Sequence, residues 1–175
     1  MGTLETTSSS GIPLPMVPNS LILRRAGNGV WYLEPARKPA RRRNGVVATV
    51  LVVDDHKDAA DLLCRVIRSW GHGAFTAINA EVGLALVGTS RPDLLIVDGM
   101  MPGMNGIEFI RLLRSNSTTA DLPAILYTAV SDARFHDHAI EKGANECWVK
   151  GAVPVEMMRK RIETYLLNGH GGTSD

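Results

Sequence analysis

A chain of 175 residues, 45% hydrophobic and 21% charged, suits one globular domain and leaves no room for a second of ordinary size. Two cysteines exclude a disulfide framework and point to a reducing cytosol, and apolar runs such as 50–53 are too short to span a bilayer. The net charge of +1 conceals an uneven distribution: residues 1–48 hold seven Lys/Arg and two Asp/Glu, whereas residues 49–175 hold twelve and sixteen.

The first segment is rich in Ser, Thr, Gly and Pro and ends in Arg37-Lys38-Pro39-Ala40-Arg41-Arg42-Arg43. Pro13, Pro15 and Pro18 interrupt its apolar stretch, so no signal-peptide core is expected and a cytoplasmic location follows. Such a composition cannot bury enough apolar surface to offset its ordering entropy, so residues 1–45 are read as a disordered basic tail. Its one apolar-aromatic run is 30–33. A polyanion-binding arm, a linker and an upstream start codon are three readings of it.

From residue 46 short apolar runs alternate with helical patterns. Strands are expected at Thr49–Val53, 74–78, 94–97, 124–127 and Glu146–Val149. Helices are expected near 57–70, 80–89, 105–115, 132–142 and 155–167. Ala60, Leu63, Ile67 and Trp70 keep helical spacing, Gly71 and Gly143 stand where helices should stop, and Pro92 and Pro123 precede strands. Five βα units with continuously apolar strands predict an α/β fold: a doubly wound, flavodoxin-like parallel sheet of order 2-1-3-4-5 with helices on both faces, over 46–168. Residues 169–175 are expected to be a flexible tail.

That topology gathers ligands outside the carboxyl ends of the strands. The first strand ends in Asp54-Asp55, the third in Asp98, the fourth in Thr128-Ala129 and the fifth in Lys150. Taken singly, each has an ordinary explanation: the acids as helix caps or turn openers, the lysine as a solvated strand end. Jointly they converge on one crevice. Two like charges about 4 Å apart repel by roughly 4 kcal/mol at an effective dielectric near 20, a cost that makes sense where a cation is to sit. Carboxylates suit Mg²⁺, the threonine hydroxyl and lysine ammonium suit phosphoryl oxygens, and an aspartate can accept a phosphoryl group.

Residues 49–168 resemble the receiver domain of two-component response regulators. The resemblance rests on Val50-Leu51-Val52-Val53-Asp54-Asp55, Pro92-Asp93-Leu94-Leu95-Ile96-Val97-Asp98, Met101-Pro102-Gly103-Met104-Asn105-Gly106, Thr128-Ala129, and Gly143-Ala144 followed by Lys150. It implies that Asp98 is the phosphoacceptor, with Thr128 and Lys150 holding the phosphoryl group. Mg²⁺ would be bound by Asp55 and Asp98, by Asp54 mainly through water, and by the Met100 carbonyl. It implies a histidine kinase or phosphotransfer protein as donor and a domain that catalyses only its own phosphorylation and dephosphorylation, without being an enzyme otherwise. With about eight residues after the last helix, no DNA-binding output is expected, and a single-domain regulator acting on an unidentified protein partner follows. Met100 and Val130 fall where side chains border the path of the attacking water. Both are apolar, so a long-lived phosphorylated state is expected.

Three departures stand out. Gly151 follows the lysine where proline is usual, Cys147 stands where an aromatic side chain is usual, and Asn105 replaces a common aspartate. Strand alternation points Trp148 away from the face of Cys147. His136 and His138, two apart on a helix, would not share a metal, and His56 is read as a solvated loop residue that could touch the site. A haloacid-dehalogenase-type phosphatase is disfavoured, since His56 and Met100 stand where its Asp-x-Asp signature needs a second acid. A phosphorylation-independent module of the same fold is the remaining alternative.

Overall fold

The computed structural model describes residues 21–25, 31–35 and 48–168, which fall into two units divided at Arg37. In the first unit β1 (Leu21–Arg25) and β2 (Trp31–Pro35) pair antiparallel, with Leu23 opposite Leu33. This ribbon departs from the structureless tail expected for 1–45. The reason is local: Leu21-Ile22-Leu23 and Trp31-Tyr32-Leu33 are strand-forming runs on either side of the turn-forming Gly27-Asn28-Gly29. Averaging over the whole basic segment hid them. The other residues of both expected tails, including the arginine run, lie outside the described residues.

The second unit is a five-stranded parallel sheet. Its elements alternate as β3 (Thr49–Val53), α1 (Lys57–Ser69), β4 (Gly73–Ala77), α2 (Ala80–Ser90), β5 (Leu94–Asp98), α3 (Gly106–Arg114), β6 (Ala124–Thr128), α4 (Ala133–Glu141), β7 (Glu146–Val149) and α5 (Val155–Asn168). The order β4-β3-β5-β6-β7 is 2-1-3-4-5 within the sheet, as expected.

Strand alternation divides the core between the two faces. Leu51, Val53, Leu95, Val97 and Leu126 face Phe109, Ile110 and Leu113 of α3. Val50, Val52, Leu94, Ile96 and Ile125 face Ala60, Leu63 and Ile67 of α1 and Met158, Ile162 and Leu166 of α5. Cys147 packs with the first cluster and Trp148 with the second, the opposition that alternation predicts.

The helices start and stop where their sequences allow. Asn79, Asn105 and Asp132 cap α2, α3 and α4 by accepting the amides of Val82, Glu108 and Phe135. Asn105 therefore performs the capping an aspartate would. Gly71 and Gly143 follow α1 and α4 at φ values of 92° and 103°, a region closed to most side chains. Among the described residues no helix is long and apolar enough to cross a membrane.

Candidate functional site

Parallel register brings the ends of β3, β5, β6 and β7 to one edge of the sheet. Val53 stands opposite Val97 on β5, Asp98 opposite Tyr127 on β6, and Thr128 opposite Val149 on β7. Asp54, Asp98 and Thr128 are the buried polar residues in this otherwise apolar layer, at 3%, 5% and 0% exposure. Asp98 and Thr128 close their strands, each one residue beyond its expected limit.

Lys150 ties these groups together. Its Nζ lies 2.8 Å from Asp54 Oδ2 and 3.2 Å from Asp98 Oδ2, while its amide donates to the Thr128 carbonyl at 2.7 Å. The ammonium also lies 5.7 Å from the centre of the Tyr127 ring, a cation–π contact. Burial, the largest single influence, opposes the charge on Lys150. The Asp54 hydrogen bond and the two carboxylate charges together outweigh it and raise the pKa. Asp98 is raised as well, chiefly by burial and further by Asp54; the Met100 amide and Lys150 only partly offset this. The site therefore holds an ammonium that stays charged and a carboxylate that is costly to keep ionised.

Backbone donors fix the acids. The His56 amide donates to Asp54 Oδ1 at 2.8 Å and the Met100 amide to Asp98 Oδ1 at 3.3 Å. Thr128 Oγ1 accepts the Val130 amide at 3.1 Å and lies against the Gly99 backbone; a Cβ built on Gly99 would stand 2.7 Å from it. The Thr128 hydroxyl is thus held beside the residue following Asp98.

All the sequence-predicted site residues gather here, with Met100 joined through its amide. Two neighbours were underrated. His56 Nδ1 lies 3.1 Å from Asp55 Oδ1, a proximity its place after the acid pair signalled. Tyr127 was missed, although the residue before a strand-end threonine pairs across the sheet with the strand that leads into the lysine. His136 Nε2 lies 2.8 Å from the Val130 carbonyl and His138 Nδ1 lies 3.7 Å from Glu141, so the two have separate partners.

Asp54, Asp55, His56 and Asp98 can each present one ligand atom, all within 4.8 Å of one another. Three carboxylates against one ammonium leave a charge of about −2, and oxygen donors suit a hard divalent cation. The donor set thus fits Mg²⁺. The thiols offer no competing nucleophile: burial pushes Cys64 up to about 12 and Cys147 to about 11. Gly151 takes φ 80° with open space where a Cβ would lie, so the chain turns after Lys150 by a conformation that glycine permits and proline does not.

The family model of the response regulator receiver domain matches residues 50–163. The chain is 30% identical over 127 residues to the phosphate regulon transcriptional regulatory protein PhoB of Pseudomonas aeruginosa, covering 73% of this chain and 55% of that protein. It is 34% identical over 111 residues to the DNA-binding response regulator MtrA of Mycolicibacterium smegmatis, covering 63% and 47%. The chain thus spans about half the length of these curated relatives. Among solved structures, the signal receiver domain of a signal transduction histidine kinase from Syntrophus aciditrophicus superposes with a TM-score of 0.65 at 26% identity, over 74% of this chain and 96% of that one. The chemotaxis protein CheY4 of Vibrio cholerae gives 0.62 at 25% identity, over 69% and 99%.

Proposed function

The chain belongs to the response regulator receiver domain family, a phosphorylation-dependent signalling fold, and we propose that Asp98 is the residue on which it takes its phosphoryl group. The observation that carries this is the position of Lys150 between Asp54 and Asp98, with the Thr128 hydroxyl alongside.

Attack by an Asp98 carboxylate oxygen on the phosphorus of a phosphohistidine makes an acyl phosphate and breaks the P–N bond, releasing imidazole. The charge then on the phosphoryl oxygens is met by the Lys150 ammonium and by donation from the Thr128 hydroxyl. Asp54, Asp55 and Asp98, with the Met100 carbonyl, would hold Mg²⁺, which when bound supplies positive charge against those oxygens. The domain would catalyse only its own phosphorylation and dephosphorylation. A histidine kinase or histidine phosphotransfer protein is the donor and an unidentified protein the recipient of the signal. The two free thiols suit the cytosol.

Incubation with Mg²⁺ and a small phosphodonor, followed by intact mass, is expected to give a single phosphoryl adduct that EDTA prevents. Cys147 and Gly151, at the switching aromatic and the post-lysine turn, favour the second reading of a phosphorylation-independent module. No adduct with any donor would leave that reading standing.

The adduct should also be long-lived. Met100 and Val130 are tied by their amides to Asp98 and Thr128, and neither side chain can orient a water by hydrogen bonding. Decay after donor removal is expected to quicken by about tenfold in Met100→Asn or Val130→Glu, the usual worth of positioning a nucleophile. Equal decay in all three proteins would place water positioning elsewhere.

A further inference from the structure

Resting on the reading of Lys150 as the group that meets the phosphoryl oxygens, we propose that Tyr127 is a positioning residue whose ring holds the lysine ammonium at the site. The carrying juxtaposition is Lys150 Nζ lying over the Tyr127 ring, 5.7 Å from its centre, within the range of a cation–π attraction. Register places the ring there. Tyr127 stands opposite Asp98 on β5 and opposite Trp148 on β7, and residues paired across parallel strands share a face of the sheet. Alternation carried one residue past the end of β7 returns Lys150 to the face of Trp148.

Two observations give the ring a task beyond filling the core. Every residue of β6 is buried except Tyr127, which is only partly so. Ile125, two residues earlier on the same face, meets the core fully with an aliphatic side chain. The tyrosine ring instead reaches the rim where the ammonium lies. The second observation is the backbone that carries the lysine. Lys150 enters a turn closed by the Ala152 amide on the Val149 carbonyl at 3.1 Å, with Gly151 at φ 80° and open space where a Cβ would lie. Glycine leaves that turn its widest freedom, and the long lysine stem adds its own. Asp54 and Asp98 hold the ammonium at 2.8 and 3.2 Å, yet these same acids are the proposed partners of Mg²⁺ and the phosphoryl group. A neutral ring face attracts the cation without competing for either. The ring packs on the same core cluster as Trp148, whose indole nitrogen donates to Glu146 at 2.6 Å, so its own position is fixed.

Two measurements on the full chain would compare wild type, Tyr127→Phe and Tyr127→Leu. In EDTA, carbon-13 NMR of lysine-labelled protein, assigned with Lys150→Arg, should show the Lys150 Cε protons shifted upfield by the ring. The shift should persist in Tyr127→Phe and vanish in Tyr127→Leu. With saturating Mg²⁺ and acetyl phosphate, Tyr127→Leu is expected to accept the phosphoryl group about fivefold more slowly, and Tyr127→Phe within about twofold of wild type. Half-saturating Mg²⁺ should be the same in all three. Leucine fills the same cluster, so a core-filling role alone would leave its rate unchanged. That result, or a loss in Tyr127→Phe as large as in Tyr127→Leu, would overturn the proposal. So would an unshifted Lys150 signal in wild type, which decides the matter even if Tyr127→Leu does not fold. A wild type that forms no adduct while the shift is present would overturn the reading of the site, and the proposal with it.

Discussion

Asp98→Asn is expected to abolish the phosphoryl adduct and, without divalent ions, to make the folded protein more stable by roughly 1 kcal/mol at neutral pH. The first outcome follows from removing the carboxylate proposed as acceptor. The second is a contest of signs. The amide loses the 3.2 Å ion pair with Lys150, but Lys150 keeps Asp54 at 2.8 Å. Against that loss stands a buried carboxylate whose pKa is raised, chiefly by desolvation and further by Asp54, beyond what Met100 and Lys150 restore. A carboxyl raised on folding binds protons more tightly in the native state. Its cost is absent below the unfolded value of about 3.9, appears as pH rises through the folded pKa, and is complete above it. The stabilisation by Asp98→Asn should thus be largest at pH 7 in EDTA and shrink towards pH 4. Millimolar Mg²⁺ should reverse the order by stabilising wild type more than the variant. A melting temperature at pH 7 in EDTA that is unchanged or lower in Asp98→Asn would show that Lys150 fully compensates the acid. A surviving adduct would show that another residue is the acceptor.

Much of this site was legible because β periodicity and parallel topology leave few choices. Once 50–53, 94–97 and 124–127 are read as adjacent parallel strands, the residues that follow them must share an edge. Asp54, Asp98 and Thr128 are therefore brought together by connectivity before any side chain is placed. Pairing within the edge was less accessible. Lys150 could have been solvated, and only three-dimensional packing shows it reaching two acids while lying near the Tyr127 ring. Asn105 was legible as a cap, three residues before Glu108, but was weighed as a departure from a family pattern. The pairing of 21–25 with 31–35 was missed for a different reason. Net charge and Pro/Gly content describe a segment's average, whereas a hairpin needs only two short runs around a turn, and Leu21-Ile22-Leu23 was never set beside Trp31-Tyr32-Leu33.

Gly106→Ala is expected to cost about 3 kcal/mol of stability and to slow phosphorylation of the protein that remains folded. Gly106 is the first residue of α3, and its amide donates to the Gly99 carbonyl at 3.3 Å. A Cβ there would stand 2.1 Å from the Asp98 carbonyl oxygen and 2.8 Å from Leu126 Cδ1. The leucine tip could turn aside. The carbonyl cannot, because it belongs to the last residue of a central strand with neighbours on both sides. Relief must come from α3 moving away from the sheet, which opens the packing of Phe109, Ile110 and Leu113, or from the backbone of Asp98 shifting. The first route costs core contacts, and the second displaces the Asp98 carboxylate from Lys150. Gly103, in the same loop, makes a useful contrast. It has φ 76° but open space around a Cβ, so Gly103→Ala should cost about 1 kcal/mol through backbone strain alone and leave phosphorylation nearly unchanged. Denaturant midpoints and adduct formation rates for the two variants would separate the mechanisms. A Gly106→Ala protein no less stable than Gly103→Ala would show that α3 can withdraw from β5 without cost and that its tight seating is not what fixes Asp98.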